Sequence, residues 1–227
     1  MGVVAALESE ARTLGPAVPR RDGLFLLSDG ALLAISGMGG APAALAARNL
    51  VDAGAAALMS FGLAGGLDPL LGAGTVVLPS EVIARSGVRF PTSTGWRERL
   101  SGAIATQRPV AAGTLLTSAQ PIGAVAEKAA AFRETGAVAV DMESFDVAEV
   151  SAAHDLPFIA VRVIVDAATD VLPRAVVAAS HEGQVNIRRL VGGLAMAPLD
   201  LIALIRLARA YRAATRSLAA VADARAA

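Results

Sequence analysis

The sequence predicts a single α/β domain in which helices cover both faces of a central sheet, a three-layer α/β/α sandwich. Short runs rich in Val, Ile and Leu alternate with Ala-rich helical stretches, and this alternation implies parallel strand pairing. Several of the strand-like runs are apolar throughout, as expected where both faces of a sheet are buried. The chain has 227 residues, of which 55% are hydrophobic, enough for one large core.

The individual elements follow from run length and composition, because short β-branched runs favour strands and longer Ala-rich runs favour helices. The predicted strands are 2–6, 24–27, 31–36, 57–61, 75–78, 110–116, 137–140 and 158–164. The predicted helices are 9–14, 41–53, 95–106, 122–135, 145–154 and two further segments after Gly183. No repeat or linker interrupts the chain, so we expect one domain over 1–227, with an amphipathic helix at about 198–221.

Composition excludes several classes of function. Lys plus Arg equals Asp plus Glu, 20 of each, so no general attraction to nucleic acid is expected. The absence of cysteine excludes thiolate catalysis, and His154 and His181 lack ligand spacing, so we expect neither a metal nor a cofactor. The start resembles no secretory leader and no run approaches a membrane-spanning helix, which predicts a cytoplasmic protein.

Chemistry in such folds is sought where strands end, because ligands bind at the strand-to-helix junctions. The opening strand is followed by Glu8 and Glu10, although acidic residues also suit the first turn of a helix for electrostatic reasons alone. The strand at 31–36 ends in Ser36 and Gly37, followed by two more glycines. Glycines allow backbone N–H groups to approach a polar ligand, but a tight turn needs them as well.

Two later junctions carry stronger signals. Gly62, Gly65 and Gly66 follow the strand predicted at 57–61, and so many glycines predict a backbone in conformations closed to larger residues. An acidic cluster, Asp141-Met142-Glu143, directly follows an apolar strand, and Asp166 ends another. Buried carboxylates are costly unless they are paired or used, and Arg162 is the candidate partner for a purely structural pairing.

These four junctions, in this order, resemble the nucleoside phosphorylase/nucleosidase superfamily. The most specific part is Val-Asp-Met-Glu-Ser at 140–144 combined with Val-Arg-Val-Ile-Val-Asp at 161–166, within a similarity running from Val3 to about Asp170. The branch that the sequence resembles most contains methylthioadenosine/S-adenosylhomocysteine nucleosidase. The resemblance implies an enzyme, a phosphorylase/hydrolase-like sandwich with a mixed central sheet, and a homodimer.

The resemblance also implies roles for individual residues. Asp166 matches the general acid that protonates N7 of the purine, and Glu10 matches the carboxylate that activates water. Glu143 matches the acceptor of the ribose hydroxyls, with Met142 beside the sugar. The other implied substrate-binding residues are Ser36, Gly37, Gly62, Ala64, Gly65 and Ile122. Ile122 lies where relatives place an aromatic residue over the base.

The sequence departs from the family pattern in ways that bear on the reaction. Leu7–Glu10 stands where phosphorylases have a phosphate-binding loop, and Ser60 stands where they have an arginine. A phosphate dianion would meet a carboxylate there, so hydrolysis is favoured over phosphorolysis. The position before the acid is commonly serine but is Val165 here, so the acid loses a possible orienting hydrogen bond.

After Asp170 the layout resembles the hopanoid-associated phosphorylases, which are implicated in removing adenine from adenosylhopane. The final helix has an apolar face with arginines largely off it, comprising Leu201, Leu204, Ile205, Ala208, Tyr211 and Leu218 against Arg206, Arg209, Arg212 and Arg216. Such a helix can lie on the inner membrane surface or pack on the core with a solvated arginine side. The open alternatives are a methylthioadenosine/S-adenosylhomocysteine nucleosidase, a purine nucleoside phosphorylase and a non-catalytic nucleoside-binding relative.

Overall fold

The computed structural model describes residues 1–170 and 198–226. The strands in chain order are β1 (Gly2–Ala5), β2 (Ala17–Pro19), β3 (Phe25–Leu27), β4 (Leu32–Ile35), β5 (Leu58–Gly66), β6 (Val76–Val77), β7 (Glu81–Ala84), β8 (Arg89–Pro91), β9 (Val110–Ala111), β10 (Thr114–Thr117), β11 (Ala137–Asp141) and β12 (Phe158–Asp166). The helices are α1 (Glu8–Ala11), continued by a 3₁₀ turn at Arg12–Leu14, α2 (Gly40–Asp52), α3 (Thr94–Ile104), α4 (Val125–Thr135), α5 (Ser144–Ala153) and α6 (Pro198–Ala226).

Strand β5 organises the described sheet. On one edge it pairs in parallel with β12, and on the other with β1 as far as Phe61. Further along that second edge it pairs antiparallel with β11, beginning at Gly65. In the described chain, residues 62–64 therefore have no strand neighbour on this edge, and the ends of β1 and β11 flank the gap.

The helices form the two outer layers that the sequence predicts. On one face, α2 and α5 bury Ala47, Leu50 and Val147 against the sheet. On the other face, α1, α3 and α6 pack on a second apolar cluster, while α4 covers β10 and β11 through a third. Parallel pairs such as β1–β4 coexist with antiparallel ones such as β7–β8, so the prediction of a mixed central sheet is confirmed.

The structure corrects several predicted boundaries. Strand β5 continues to Gly66 instead of ending at residue 61, because its second half pairs with β11 and β12. The strand predicted at 110–116 is two strands, separated at Gly113, where φ is 131°. The short strands β2, β7 and β8 were not predicted, since three or four residues carry too little periodicity.

The C-terminal helix α6 is longer than predicted and docks through its second half. Ala214, Leu218 and Val221 are buried in the core, and the Ser217 hydroxyl donates to the Gly74 carbonyl at 2.7 Å. The other helix predicted after Gly183 lies outside the described residues. None of the helices described is both long enough and apolar enough to span a membrane.

Candidate active site

Glu10 fills the gap in the sheet. Its Oε1 accepts a hydrogen bond from the backbone N–H of Leu63 at 2.8 Å, and its Oε2 accepts one from Leu7 at 2.9 Å. The side chain thus satisfies a strand N–H that has no neighbouring strand to bond. Glu10 is only 4% exposed, and burial raises the pKa of its carboxyl, an effect that the positive charge of Arg162 partly offsets.

Glu143 lies at the end of β11, immediately before α5. Its Oε1 accepts from the backbone N–H of Gly39 at 3.0 Å, so it joins the end of β11 to the turn that follows β4. Its Oε2 lies 3.5 Å from Nη2 of Arg162. Burial raises the pKa of Glu143 to about 7; Arg162 works against this rise, and the nearby Asp141 carboxylate adds to it.

Arg162 is the shared cation beneath Glu10 and Glu143. It is 1% exposed on β12, and its Nε donates to Oδ2 of Asp141 at 2.7 Å. Its Nη2 donates to the hydroxyls of Ser60 and Ser144. The predicted alternative of structural pairing is therefore correct for Asp141. Glu143 also faces this cation, but it keeps a separate contact with the glycine turn after β4.

Asp166 lies at the other end of the gap, on the bulged last residue of β12. Its carboxylate is 5% exposed and forms a buried ion pair with Lys128 of α4 through Oδ2. Burial raises the pKa of Asp166 to about 6, although the Lys128 ammonium opposes the rise. Sequence reasoning missed Lys128. The sequence does contain one indication of its importance, because Lys128 is the single lysine in a chain with 19 arginines.

Close approach leaves no room for a side chain at Gly62 of β5, whereas a Cβ on Gly65 would make a tight contact with Val140 and only ordinary contacts with Asp166. Gly62, Gly65 and Gly66 all have ordinary strand conformations, so the prediction of conformations closed to other residues is wrong. A Cβ on Gly62 would lie 2.6 Å from Oε1 of Glu10 and closer still to Nη1 of Arg162. A Cβ on Gly65 would lie 3.5 Å from both carboxylate oxygens of Asp166.

The glycine turn after β4 has backbone conformations that favour glycine. Gly37 and Gly39 have φ values of 79° and 99°, which favour glycine, and the Gly39 N–H is the one that binds Glu143. The Ser36 hydroxyl donates to the Gly37 carbonyl at 2.7 Å and lies beside the end of β1. The second junction is thus joined directly to the fourth.

The remaining predicted residues lie at different depths. Met142 is half-buried, and its backbone N–H lies 3.3 Å from Oε2 of Glu143. Ala64 is buried within β5. Ile122 is 7% exposed and belongs to the apolar cluster beneath α4. Within the described ranges, no group of three His, Asp or Glu side chains could hold a metal ion.

The chain can be placed by comparison with known proteins. The family model of the phosphorylase superfamily matches residues 24–194, about three quarters of the sequence. The chain therefore belongs to the phosphorylase superfamily, which confirms the resemblance, the fold class and the expectation of an enzyme. Glu10 precedes the matched range, so its place in the site rests on geometry. No curated protein matches the sequence.

Solved structures share the fold. A methylthioadenosine/S-adenosylhomocysteine nucleosidase from Neisseria meningitidis, in complex with methylthio-immucillin-A, is 21% identical with a TM-score of 0.73, covering 98% of this chain and 96% of that one. A putative methylthioadenosine nucleosidase from Weissella paramesenteroides is 24% identical with a TM-score of 0.67, covering 83% and 96%. The futalosine hydrolase of Helicobacter pylori is 18% identical with a TM-score of 0.67, covering 83% and 94%.

Proposed function

We propose that this chain is a purine nucleosidase, which hydrolyses the N-glycosidic bond of an adenosine derivative and releases adenine. The observation that carries the proposal is the set of three buried carboxylates: Glu10 and Glu143 beside Arg162, and Asp166 against Gly65 of β5. The names of the similar solved structures agree with it, since they include adenosine-derivative nucleosidases. Cleavage needs a general acid that protonates the departing purine and a general base that deprotonates water. The three carboxylates offer candidates for both roles.

In the proposed reaction, Asp166 gives its proton to N7 of the purine while the bond from C1′ to N9 breaks. A buried acid is suited to this role because desolvation keeps more of it protonated than water would. Glu10 takes a proton from water, whose oxygen bonds to C1′. Glu143 accepts hydrogen bonds from the ribose hydroxyls.

Water is favoured over phosphate as the nucleophile. Ser60 is fully buried and bonds Arg162, so it offers no donor to an anion in the site. Arg162 itself is bonded to Asp141 and two serine hydroxyls and lies beside two more carboxylates. A phosphate dianion placed near Glu10 would therefore meet a carboxylate without a free cation among the described residues.

Activity should show a bell-shaped pH dependence with its optimum on the acid side of neutrality. Asp166 must be protonated, so kcat should fall as the pH rises through about 6. Glu10 must be ionised, and because burial raises its pKa, the acid limb of the profile should lie above the ordinary pKa of a glutamate. A pH profile of adenine release measures both limbs. Activity that keeps rising to pH 9 would contradict the assignment of Asp166.

Glu143→Gln should weaken the preference for ribose over 2′-deoxyribose. A carboxylate can accept hydrogen bonds from two hydroxyls at once, whereas an amide has one acceptor oxygen. The measurement is the ratio of kcat/KM for the ribo- and 2′-deoxy forms of one substrate. Glu149→Gln, on the exposed side of the same helix, is the control. An unchanged ratio in Glu143→Gln would remove Glu143 from sugar recognition.

For the substrate itself we propose an adenosine with a large apolar 5′ substituent, such as adenosylhopane, reached at a membrane surface. The support comes from α6, whose second half packs on the core while Arg206, Arg209 and Arg212 stay exposed beside the partly exposed Tyr211. Each arginine near an anionic bilayer contributes about 1 kcal/mol of binding. Packing on the core and contact with a membrane, the two alternatives expected for this helix, are therefore compatible, because each involves a different half of it.

The test compares adenosylhopane with methylthioadenosine and S-adenosylhomocysteine, with free adenine as the readout. Adenosylhopane should have the highest kcat/KM. In parallel, changing Arg206, Arg209 and Arg212 to Gln should reduce sedimentation with phosphatidylglycerol vesicles. Changing the exposed Arg48, Arg85 and Arg133 to Gln should leave this sedimentation unchanged. A strong preference for the small thio-nucleosides would leave a general nucleosidase, and no adenine from any substrate would indicate a non-catalytic relative.

A further inference from the structure

Lys128 is the one lysine of the chain, and it is fully buried. The other basic side chains are 19 arginines, and of these Arg133 lies exposed on the same helix, α4. Burying an ammonium group is costly unless each of its donors has a partner. An isolated lysine at such a place therefore needs an explanation in terms of what its Nζ binds.

The Nζ of Lys128 uses all three of its donors on one short segment. It bonds Oδ2 of Asp166, the Ala167 carbonyl at 2.8 Å and the Asp170 carbonyl at 3.1 Å. That segment is also closed on itself, because the Ala167 N–H donates to Oδ2 of Asp170 at 2.9 Å and the Asp170 N–H returns to the Ala167 carbonyl. One side chain thus fixes both the carboxylate and the turn that follows it.

The ion pair leaves the two oxygens of Asp166 in different situations. Oδ2 is held by the ammonium, whereas Oδ1 receives no side-chain hydrogen bond within the described residues. Both oxygens lie against Gly65 of β5, at the end of the gap that Glu10 also enters. Among the described residues, the charged groups that act on this carboxylate are Lys128 from α4 and Asp170 from the turn.

We propose that Lys128 is the positioning residue of this site: it holds Asp166 by Oδ2 so that Oδ1 faces the departing base, and it stabilises the carboxylate left behind by proton transfer. This inference rests on the proposed function. It also accounts for Val165, since the orienting hydrogen bond that a serine would give there is replaced by one from α4. Lysine is required because three acceptors converge on one nitrogen, a geometry that the planar guanidinium of arginine does not match.

The first test is the pH profile of Lys128→Met, with Arg133→Met as the control that removes an exposed cation from the same helix. Loss of the ammonium should lower kcat by about 100-fold through misplacement of the acid. It should also shift the alkaline limb of the kcat–pH profile to higher pH by about one to three units, because a neighbouring cation no longer stabilises the Asp166 carboxylate. A fall in kcat with the limb unmoved would show that Lys128 only supports the fold, and the proposal would be wrong.

A second measurement needs no activity, so it separates this inference from the proposed function. Protein labelled with [¹⁵Nζ]lysine should give a single ammonium resonance, because the chain has one lysine. That resonance should follow the titration of Asp166 and should be displaced in Asp166→Asn, but not in the surface variant Asp52→Asn. A resonance that is indifferent to Asp166→Asn would overturn the proposal even if the protein releases adenine.

Discussion

Asp166→Asn is expected to lower kcat for adenine release by about 10²–10⁴-fold, the usual contribution of general acid–base assistance. Asparagine has the shape of aspartic acid but carries no acidic proton for N7. Its amide oxygen can still accept from Lys128, so the turn after β12 should keep its structure. Loss of activity should therefore come without unfolding, with a lower Tm because the buried Lys128 ammonium loses its counter-charge.

The measurement pairs kcat with thermal unfolding of the same protein. Asp52→Asn, at the exposed end of α2, is the matched control and should retain wild-type activity. If Asp166→Asn hydrolyses substrate at near wild-type rates, Asp166 has no part in proton transfer. If both variants lose activity to the same extent, the effect does not come from this site.

Glu10→Gln should have an effect of similar size, because the amide cannot take a proton from water. It should also destabilise the protein by about 1–3 kcal/mol. Both oxygens of Glu10 accept backbone N–H groups, from Leu7 and Leu63, and the amide would turn a donor toward one of them. The two effects are measured separately, by kcat and by urea unfolding.

Chemical rescue distinguishes lost chemistry from lost structure at this position. In Glu10→Ala the space of the carboxylate is open, so added formate should restore part of the activity of a folded protein. Formate should not restore Asp166→Asn, where the missing group is an acid at the other end of the gap. Restoration of both variants alike, or of neither, would contradict the division of roles between the two carboxylates.

The candidate site residues could be named from the sequence because they stand at strand ends. Glu10, Glu143 and Asp166 each come directly after or at the end of an apolar run, and such positions converge on one edge of the sheet. The structure places Glu10 and Glu143 beside the same buried Arg162, and Asp166 against Gly65 of β5. Their roles remain predictions, which the variants above test.

What the sequence does not predict depends on long-range contacts. The second half of β5 is a strand because β11 and β12 pair with it, and Gly62 has no room for a side chain because Glu10 and Arg162 lie against it. Lys128 is 38 residues from Asp166, on a helix whose sequence gives no sign that this side chain points inward. Local periodicity carries no information on such contacts.

The most direct test of hydrolysis is an analysis of the products formed in phosphate buffer. Wild-type protein, an adenosine derivative and H₂¹⁸O should give adenine and a free ribose derivative with ¹⁸O at C1, at a rate that does not change with phosphate concentration. The proposed reaction predicts this because Glu10 activates water and Ser60 is fully buried and bonded to Arg162. A sugar 1-phosphate as the main product would contradict it.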